Sequence, residues 1–311
     1  MLAAMARKLR LEYPRAVYHV MNRGDRREPI FRIDKDRELF LDTLGECCQK
    51  TGWQVHALCL MPNHFHLVVE TPSANLVAGM KWFLGAYTSR FNRRHKLFGH
   101  LFSGRYKSLI VDGSGTGYLK TVCDYVHLNP ARAKLLTAEQ KLSRYRWSSY
   151  PAYLLPARKR PRWLRVDRLL GEHGLPVDSK AARREFVVRM EARRAAEQDE
   201  EWKPVRRGWC LGGKGFRKEL LAEMRERTGP NHGGEERRET EAAWTEKVLA
   251  EELERRRWTA RDLAQRRKGD AQKLKIARRL RRETTATLQW IANALYMGAA
   301  GSLANLLRRA K

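Results

Sequence analysis

Two short motifs in this sequence combine residue types that could hold a metal and attack an electrophile. His64-Phe65-His66 opens the apolar run Leu67-Val68-Val69. In an extended strand, residues two apart share a face, so both imidazoles point one way and Phe65 points to a core on the other. Two neutral imidazoles on a rigid strand supply half of a metal site. Tyr125 and Asn129, four apart and just before Pro130, are neighbours on one face of a helix. An amide oxygen from Asn129 would complete a donor set with His64 and His66 that suits Mg²⁺ or Mn²⁺. Tyr125 would then stand one turn from the ion. A phenol, with a pKa of about 10, is a poor nucleophile at neutral pH, and a cation polarising a neighbouring phosphate offers the activation it needs. Each residue also has a plain structural reading: polar surface histidines, a core tyrosine with a bonded hydroxyl, and an asparagine that caps a helix C-terminus.

These side chains need a scaffold, and the patterning supplies one. Ala16 to Met21 has strand texture and ends in the turn Asn22-Arg23-Gly24-Asp25. Asp34 can cap a helix whose Leu39, Phe40, Thr43, Leu44 and Cys47 form one apolar face, stopped at Gly52. Trp53 to Leu60 and Phe65 to Glu70 read as a hairpin joined by Met61-Pro62-Asn63. Ser73 opens a second helix through Leu76, Met80, Phe83, Leu84, Tyr87 and Phe91, ending in Arg93-Arg94-His95-Lys96. Tyr106 to Val111 is a fourth strand, and a third helix runs from Tyr118 to Leu128, closed by Asn129-Pro130. The order βαββαβα predicts an α+β, ferredoxin-like sandwich, with helices on one face of the sheet and middle strands able to carry a site. Pro151, Pro156 and Pro161 then interrupt a basic stretch, which puts a domain boundary near Pro156. Residues 156–245 read as a basic, mostly helical connection with a polar linker at Asn231 to Arg238, and 246–311 as helical, so the whole extension is expected to be all-α.

Charge narrows the partner. Lys and Arg number 63 against 35 Asp and Glu, a net +28 that points to a polyanion. The clusters Arg23-Arg26-Arg27, Arg90-Arg93-Arg94 and Arg278-Arg279-Arg281-Arg282 favour phosphate, which suits the planar guanidinium fork. An arginine-heavy genome or anionic lipid are the competing explanations. No apolar run reaches about 18 residues, so no membrane span is expected. Met1 to Arg10 lacks the apolar centre of a secretory signal. Cys47, Cys48, Cys59, Cys123 and Cys210 make neither a disulfide framework nor a CxxC zinc pattern and read as small core residues in a reducing cytoplasm.

Met61-Pro62-Asn63-His64-Phe65-His66-Leu67-Val68-Val69-Glu70, with Tyr18-His19-Val20-Met21-Asn22-Arg23-Gly24 and Tyr125-Val126-His127-Leu128-Asn129-Pro130, resembles the single-tyrosine HUH transposases of the IS200-like family. The REP-associated tyrosine transposases are the most similar branch, and the resemblance spans Tyr13 to Tyr150. It implies a catalytic Tyr125, with His64, His66 and Asn129 as ligands of Mg²⁺ or Mn²⁺. It implies attack on a single-stranded DNA phosphate beside an imperfect hairpin, giving a 5′-phosphotyrosine and a free 3′-hydroxyl without ATP. The implied setting is the bacterial cytoplasm, at the nucleoid, as a monomer or a homodimer.

Further residues are candidates for DNA contact: Arg23, Arg105 and Lys107 around Tyr106, and Arg144, Arg146 and Trp147 after the third helix. Near the C-terminus, Leu288 to Gly298 and Ser302 to Arg309 read as a helix-turn-helix, similar to that of replication initiators, presenting Ser302, Asn305, Arg308 and Arg309 to a duplex. A plain helical hairpin is the alternative. Tyr106 and Tyr118 are competing nucleophiles, and His19 and His127 read as structural or supporting. Three other functions compete: a DNA-binding protein or repressor that keeps the fold without turnover, a metal-dependent hydrolase drawing on Glu70, and an RNA-binding sheet.

Overall fold

The computed structural model describes residues 11–196, 199–227 and 235–309. Met1 to Arg10, and Asn231 to Gly234 of the expected linker, lie outside them. β1 (Ala16–Arg23), α1 (Asp34–Thr51), β2 (Gln54–Met61), β3 (His64–Thr71), α2 (Leu76–His95), β4 (Lys107–Val111) and α3 (Tyr118–Arg132) follow in the expected order. β2 and β3 form the expected hairpin, with His64 opposite Met61. β3 also pairs antiparallel with β1, and β1 antiparallel with β4. The strand order β2-β3-β1-β4 therefore puts β1 and β3 inside and leaves β1 and β2 running the same way with β3 between them.

Helix ends follow local chemistry, with two departures from the sequence reading. Asp34 is the first residue of α1, and the cap comes from Asp36, whose carboxylate accepts from the N–H of Arg32 at 2.9 Å and of Ile33 at 3.1 Å. Gly52 stops the helix as expected, at φ 73°, a left-handed conformation that glycine adopts without strain. α3 does not close at Asn129; it continues through Pro130 to Arg132. A proline this close to a C-terminus interrupts little of the remaining ladder. Arg132 thereby joins the face that carries Tyr125 and Asn129.

Alternation along β3 sorts its side chains. Phe65 packs toward α1 and α2, 5.1 Å from Phe40, which lies 4.8 Å from Phe83. His66, two residues from His64 and on the same face, meets Tyr125 of α3 on the opposite side. Helices thus cover both faces of the sheet, not one as expected. Leu67, Val68 and Val69 are all buried, and consecutive apolar residues on a strand require cover on both sides. Cys47, Cys48, Cys59 and Cys123 are buried free thiols, and Cys210 is a half-buried one.

The core does not end at Pro156. α4 (Tyr150–Tyr153), α5 (Asp167–Glu172), α6 (Lys180–Ala195), α7 (Lys203–Arg207) and α8 (Lys214–Arg227) extend it, burying Tyr153, Leu169, Phe186, Met190, Trp202 and Leu220 in the same cluster as the sheet. Nor is the extension all-α. β5 (Cys210–Leu211) pairs in parallel with β4 and gives the sheet its fifth strand. Two residues are too few to show alternation in a sequence. Glu235 to Arg238, expected in a linker, begin α9 (Glu235–Arg256). A second core gathers α9, α10 (Ala260–Gln265), α11 (Ala271–Glu283), α12 (Leu288–Ala294) and α13 (Ala300–Arg309) around Val248, Leu263, Ile276, Leu280, Ile291 and Leu303.

Candidate active site

His64 opens β3 opposite Arg23, and His66 lies opposite Met21. Their ring centroids are 5.1 Å apart. His66 is buried and His64 half-buried at the rim. Each ring has one nitrogen engaged by a neighbour. Asn63 Nδ2 donates to the Arg27 carbonyl at 3.0 Å, which turns its Oδ1 toward His64 Nδ1 at 2.8 Å. An amide oxygen only accepts, so His64 Nδ1 carries the hydrogen and Nε2 presents a lone pair. His66 Nδ1 lies 2.9 Å from His19 Nε2, with the two rings stacked at 5.2 Å. With Nδ1 donating to His19, His66 likewise offers Nε2, the arrangement by which an outer partner orients a ligating imidazole. His19, read from sequence as structural or supporting, is thus a direct neighbour of the pair. His127 is instead tied to the Ser149 hydroxyl at 2.9 Å.

Burial keeps these rings neutral. It lowers His19 to about 4; it lowers His64 to about 4, helped by the charge of Arg23; and it lowers His66 well below its usual value. His127 falls to about 3 for the same reason. The unfolded chain binds protons at these rings below about 6.5 while the folded chain does not, so stability is lost as pH falls from about 6.5 toward 4. Thermal melts of the metal-free protein should show Tm declining across that window. A flat Tm would mean that these rings titrate as they do in an unfolded chain.

α3 brings Tyr125 to the pair: its ring centroid lies 5.8 Å from His66 and 5.7 Å from His19. Asn129, one turn on, is buried, with Oδ1 3.5 Å from an Arg132 guanidinium nitrogen and Nδ2 without a partner. An amide held this lightly keeps hydrogen-bonding and ligand capacity in reserve. It joins the cluster through Arg132, whose guanidinium lies 4.3 Å from the Tyr125 ring centre. Among the described residues no group of three or more His, Cys, Asp or Glu is placed to hold a metal. An ion at the histidine pair therefore needs a donor of another kind, and the Asn129 amide fits that requirement on the face that also carries Tyr125.

Other candidates separate from the cluster. Glu70 shares a strand face with His66, but its carboxylate is engaged by His56 at 3.0 Å, Arg168 at 2.7 Å and Arg165 at 3.3 Å. The hydrogen bond from His56, then that from Arg168, hold it down at about 2. It anchors β3 to the residues after Pro161 and does not serve the histidines. The aromatic rings packed against His66 are those of His19, His64 and Tyr125, while Tyr106 precedes β4 and Tyr118 begins α3. Arg23, Arg105, Lys107 and Arg144 are exposed, and Arg23 stands beside His64. Arg146 lies 3.6 Å from Asp34 and 3.7 Å from Glu38. Trp147 is engaged by the guanidiniums of Arg37 at 5.4 Å and Arg146 at 4.4 Å. Ser302, Asn305 and Arg308 are exposed on α13; the side chain of Arg309 lies outside the described residues.

Sequence reasoning missed two neighbours of Tyr125. Arg132 was legible seven residues on, had the helix been carried through Pro130. Trp202, 5.5 Å from the Tyr125 ring, had no signal, because its contact is long-range.

Residues 12–129 match the family described as "Transposase IS200 like", and the match ends on Asn129. This segment is similar to the IS200-like transposases. It contains both histidines, Tyr125 and Asn129, and the family it matches is one of DNA-cutting and strand-transferring enzymes. The chain is also similar to a solved structure described as the REP-associated tyrosine transposase bound to a REP hairpin. The identity is 12%, over 48% of this chain and 84% of that one, with a TM-score of 0.40. No curated protein matches the chain. Among the described residues, no helix is long and apolar enough to cross a membrane.

Proposed function

We propose that this chain cuts and rejoins single-stranded DNA beside imperfect hairpins, with Tyr125 as nucleophile and a ferredoxin-like sheet as its platform. The placement of the Tyr125 ring 5.8 Å from His66, across the sheet-helix interface, carries the reading. The Tyr125 oxygen attacks phosphorus, the bond from phosphorus to the 3′-oxygen breaks, and the phenolic proton ends on the departing 3′-hydroxyl. The product is a 5′-phosphotyrosine. One phosphoester replaces another, so the same 3′-hydroxyl can reverse the step without ATP. His64 and His66, through Nε2, and Asn129, through its amide oxygen, would hold Mg²⁺ or Mn²⁺. When bound, the ion supplies positive charge to the phosphate being attacked. Arg23 beside His64 and Arg132 beside Tyr125 orient that phosphate. Arg105, Lys107 and Arg144 add backbone contacts, and the protein acts in the cytoplasm on nucleoid DNA.

The C-terminal core is read as a duplex-binding module. α12 and α13 are joined by a turn with Tyr296 at φ 52° and Gly298 at φ 85°. Ile291, Ala292, Leu295, Met297 and Leu303 are buried there, which leaves Ser302, Asn305 and Arg308 facing out. It would hold double-stranded DNA next to the hairpin. Salt should weaken hairpin binding by about 1,000-fold or more between roughly 50 and 200 mM if six or more phosphates are neutralised. A salt-insensitive affinity in electrophoretic titrations would contradict the basic-surface reading.

The decisive test is to incubate the protein with Mn²⁺ or Mg²⁺ and a labelled library of single-stranded hairpins, and to map any covalent adduct by mass spectrometry. An adduct on the peptide carrying Tyr125 is expected. One observation favours a second reading, a DNA-binding regulator without turnover: Tyr125 is only 4% exposed. Tight, metal-independent hairpin binding with no adduct would select that reading.

A further inference from the structure

Among the side chains that bury Tyr125, with His19, His66 and Arg132, is one from far along the sequence. Trp202 ends a short helical turn, Asp199–Trp202, that leads into α7. Its indole is fully buried, 5.5 Å from the Tyr125 ring, and sits among guanidiniums, with Arg132 at 5.8 Å and Arg193 of α6 at 4.8 Å. A flat aromatic ring set among arginines next to a tyrosine is the environment in which proteins stack an unpaired base. The fit for the indole itself is incomplete, since its Nε1 is buried with no acceptor, a costly state for a donor.

The polar tethers on either side are few. Upstream, Glu201 pairs with Arg193 at 2.5 Å across a half-exposed surface. Downstream, the segment ends in β5, whose two residues hold the edge of β4 through the backbone bonds Ile110 N–H to Trp209 O at 3.0 Å and Asp112 N–H to Leu211 O at 2.8 Å. The segment between buries Val205 as well as Trp202 and borders β4 and β5 at the edge of the sheet, while the histidines are carried by the inner strands β1 and β3.

We propose that Trp202 occupies a nucleobase slot beside the attacking hydroxyl, and that a base of the single strand displaces it; the inference rests on Tyr125 being the nucleophile. The covered site is the resting state. A strand with an unpaired base at the right place opens it, whereas a duplex, whose bases are already stacked, does not. Nucleophile exposure is thereby coupled to recognition of single-stranded DNA.

Hydroxyl-radical footprinting of the full chain, read by mass spectrometry at the peptides carrying Trp202 and Tyr125, tests this. Metal-free binding of a single-stranded hairpin oligonucleotide is expected to raise Trp202 oxidation severalfold, because a displaced indole leaves a fully buried place for solvent. Equal protection of Trp202 in the free and bound chains overturns the displacement. Without DNA, Trp202→Ala should raise Tyr125 oxidation, and Trp202→Phe should leave it low. Arg193→Ala removes the guanidinium over the indole from the surface side and serves if Trp202→Ala does not fold; unchanged Tyr125 oxidation in folded Arg193→Ala overturns the cover. A chain that binds no hairpin yet shows these variant effects retains the cover and sinks the strand-cleavage reading instead.

Discussion

Tyr125→Phe is expected to abolish covalent attachment of DNA while leaving hairpin binding nearly intact. The substitution removes one oxygen and keeps the ring that packs on His66, His19 and Trp202. Removal of a nucleophile from a concerted site costs on the order of 10⁶-fold in rate where it has been measured, so no adduct should survive. Binding depends on cations spread over the surface, which the change does not touch. Adduct yield on denaturing gels and affinity by electrophoretic shift, taken on the same preparation, separate the two quantities. Residual adduct at wild-type yield would move the nucleophile elsewhere, with Tyr106 and Tyr118 the first to test.

His66→Ala and His64→Ala should both lose cleavage, but differently against metal concentration. His64 is half-buried at the rim beside the exposed Arg23, so water can take its place as a ligand. Its alanine variant should be inactive at low Mn²⁺ and recover as Mn²⁺ is raised. His66 is buried under α3, and its loss also leaves His19 Nε2 without its partner, so added metal should not restore activity. His19→Ala should fall between them, weakening metal affinity by about 10- to 100-fold, as loss of a ligand's orienting partner does. Adduct rates titrated with Mn²⁺, alongside calorimetric metal binding, read all three. Wild-type metal dependence in both His64→Ala and His66→Ala would show that the ion is not held there.

Much of this arrangement was legible in the sequence because it depends on local spacing. The period of two in His64-Phe65-His66 places both imidazoles on one face whatever the surroundings. The four-residue step from Tyr125 to Asn129 does the same on a helix. The order of strands and helices from β1 to α3, and the β2-β3 hairpin, also followed from hydrophobic period and turn residues. Proline was over-read twice: at Pro130, which α3 passes through in its last turn, and at Pro156, which interrupts no core.

What the sequence alone determined is therefore the inventory: the histidine pair, the tyrosine and its amide neighbour, and the elements that present them. The tertiary structure decided which face of the sheet α3 covers, and so that Tyr125 meets His66. It decided the His64 tautomer, through Asn63, the contact of His66 with His19, and the loss of Glu70 to His56 and the two arginines. It also decided that an indole from Trp202 rests on the candidate nucleophile. These are contacts between residues far apart in the chain, set by burying apolar surface on both sides of one sheet, and local periodicity carries no record of them.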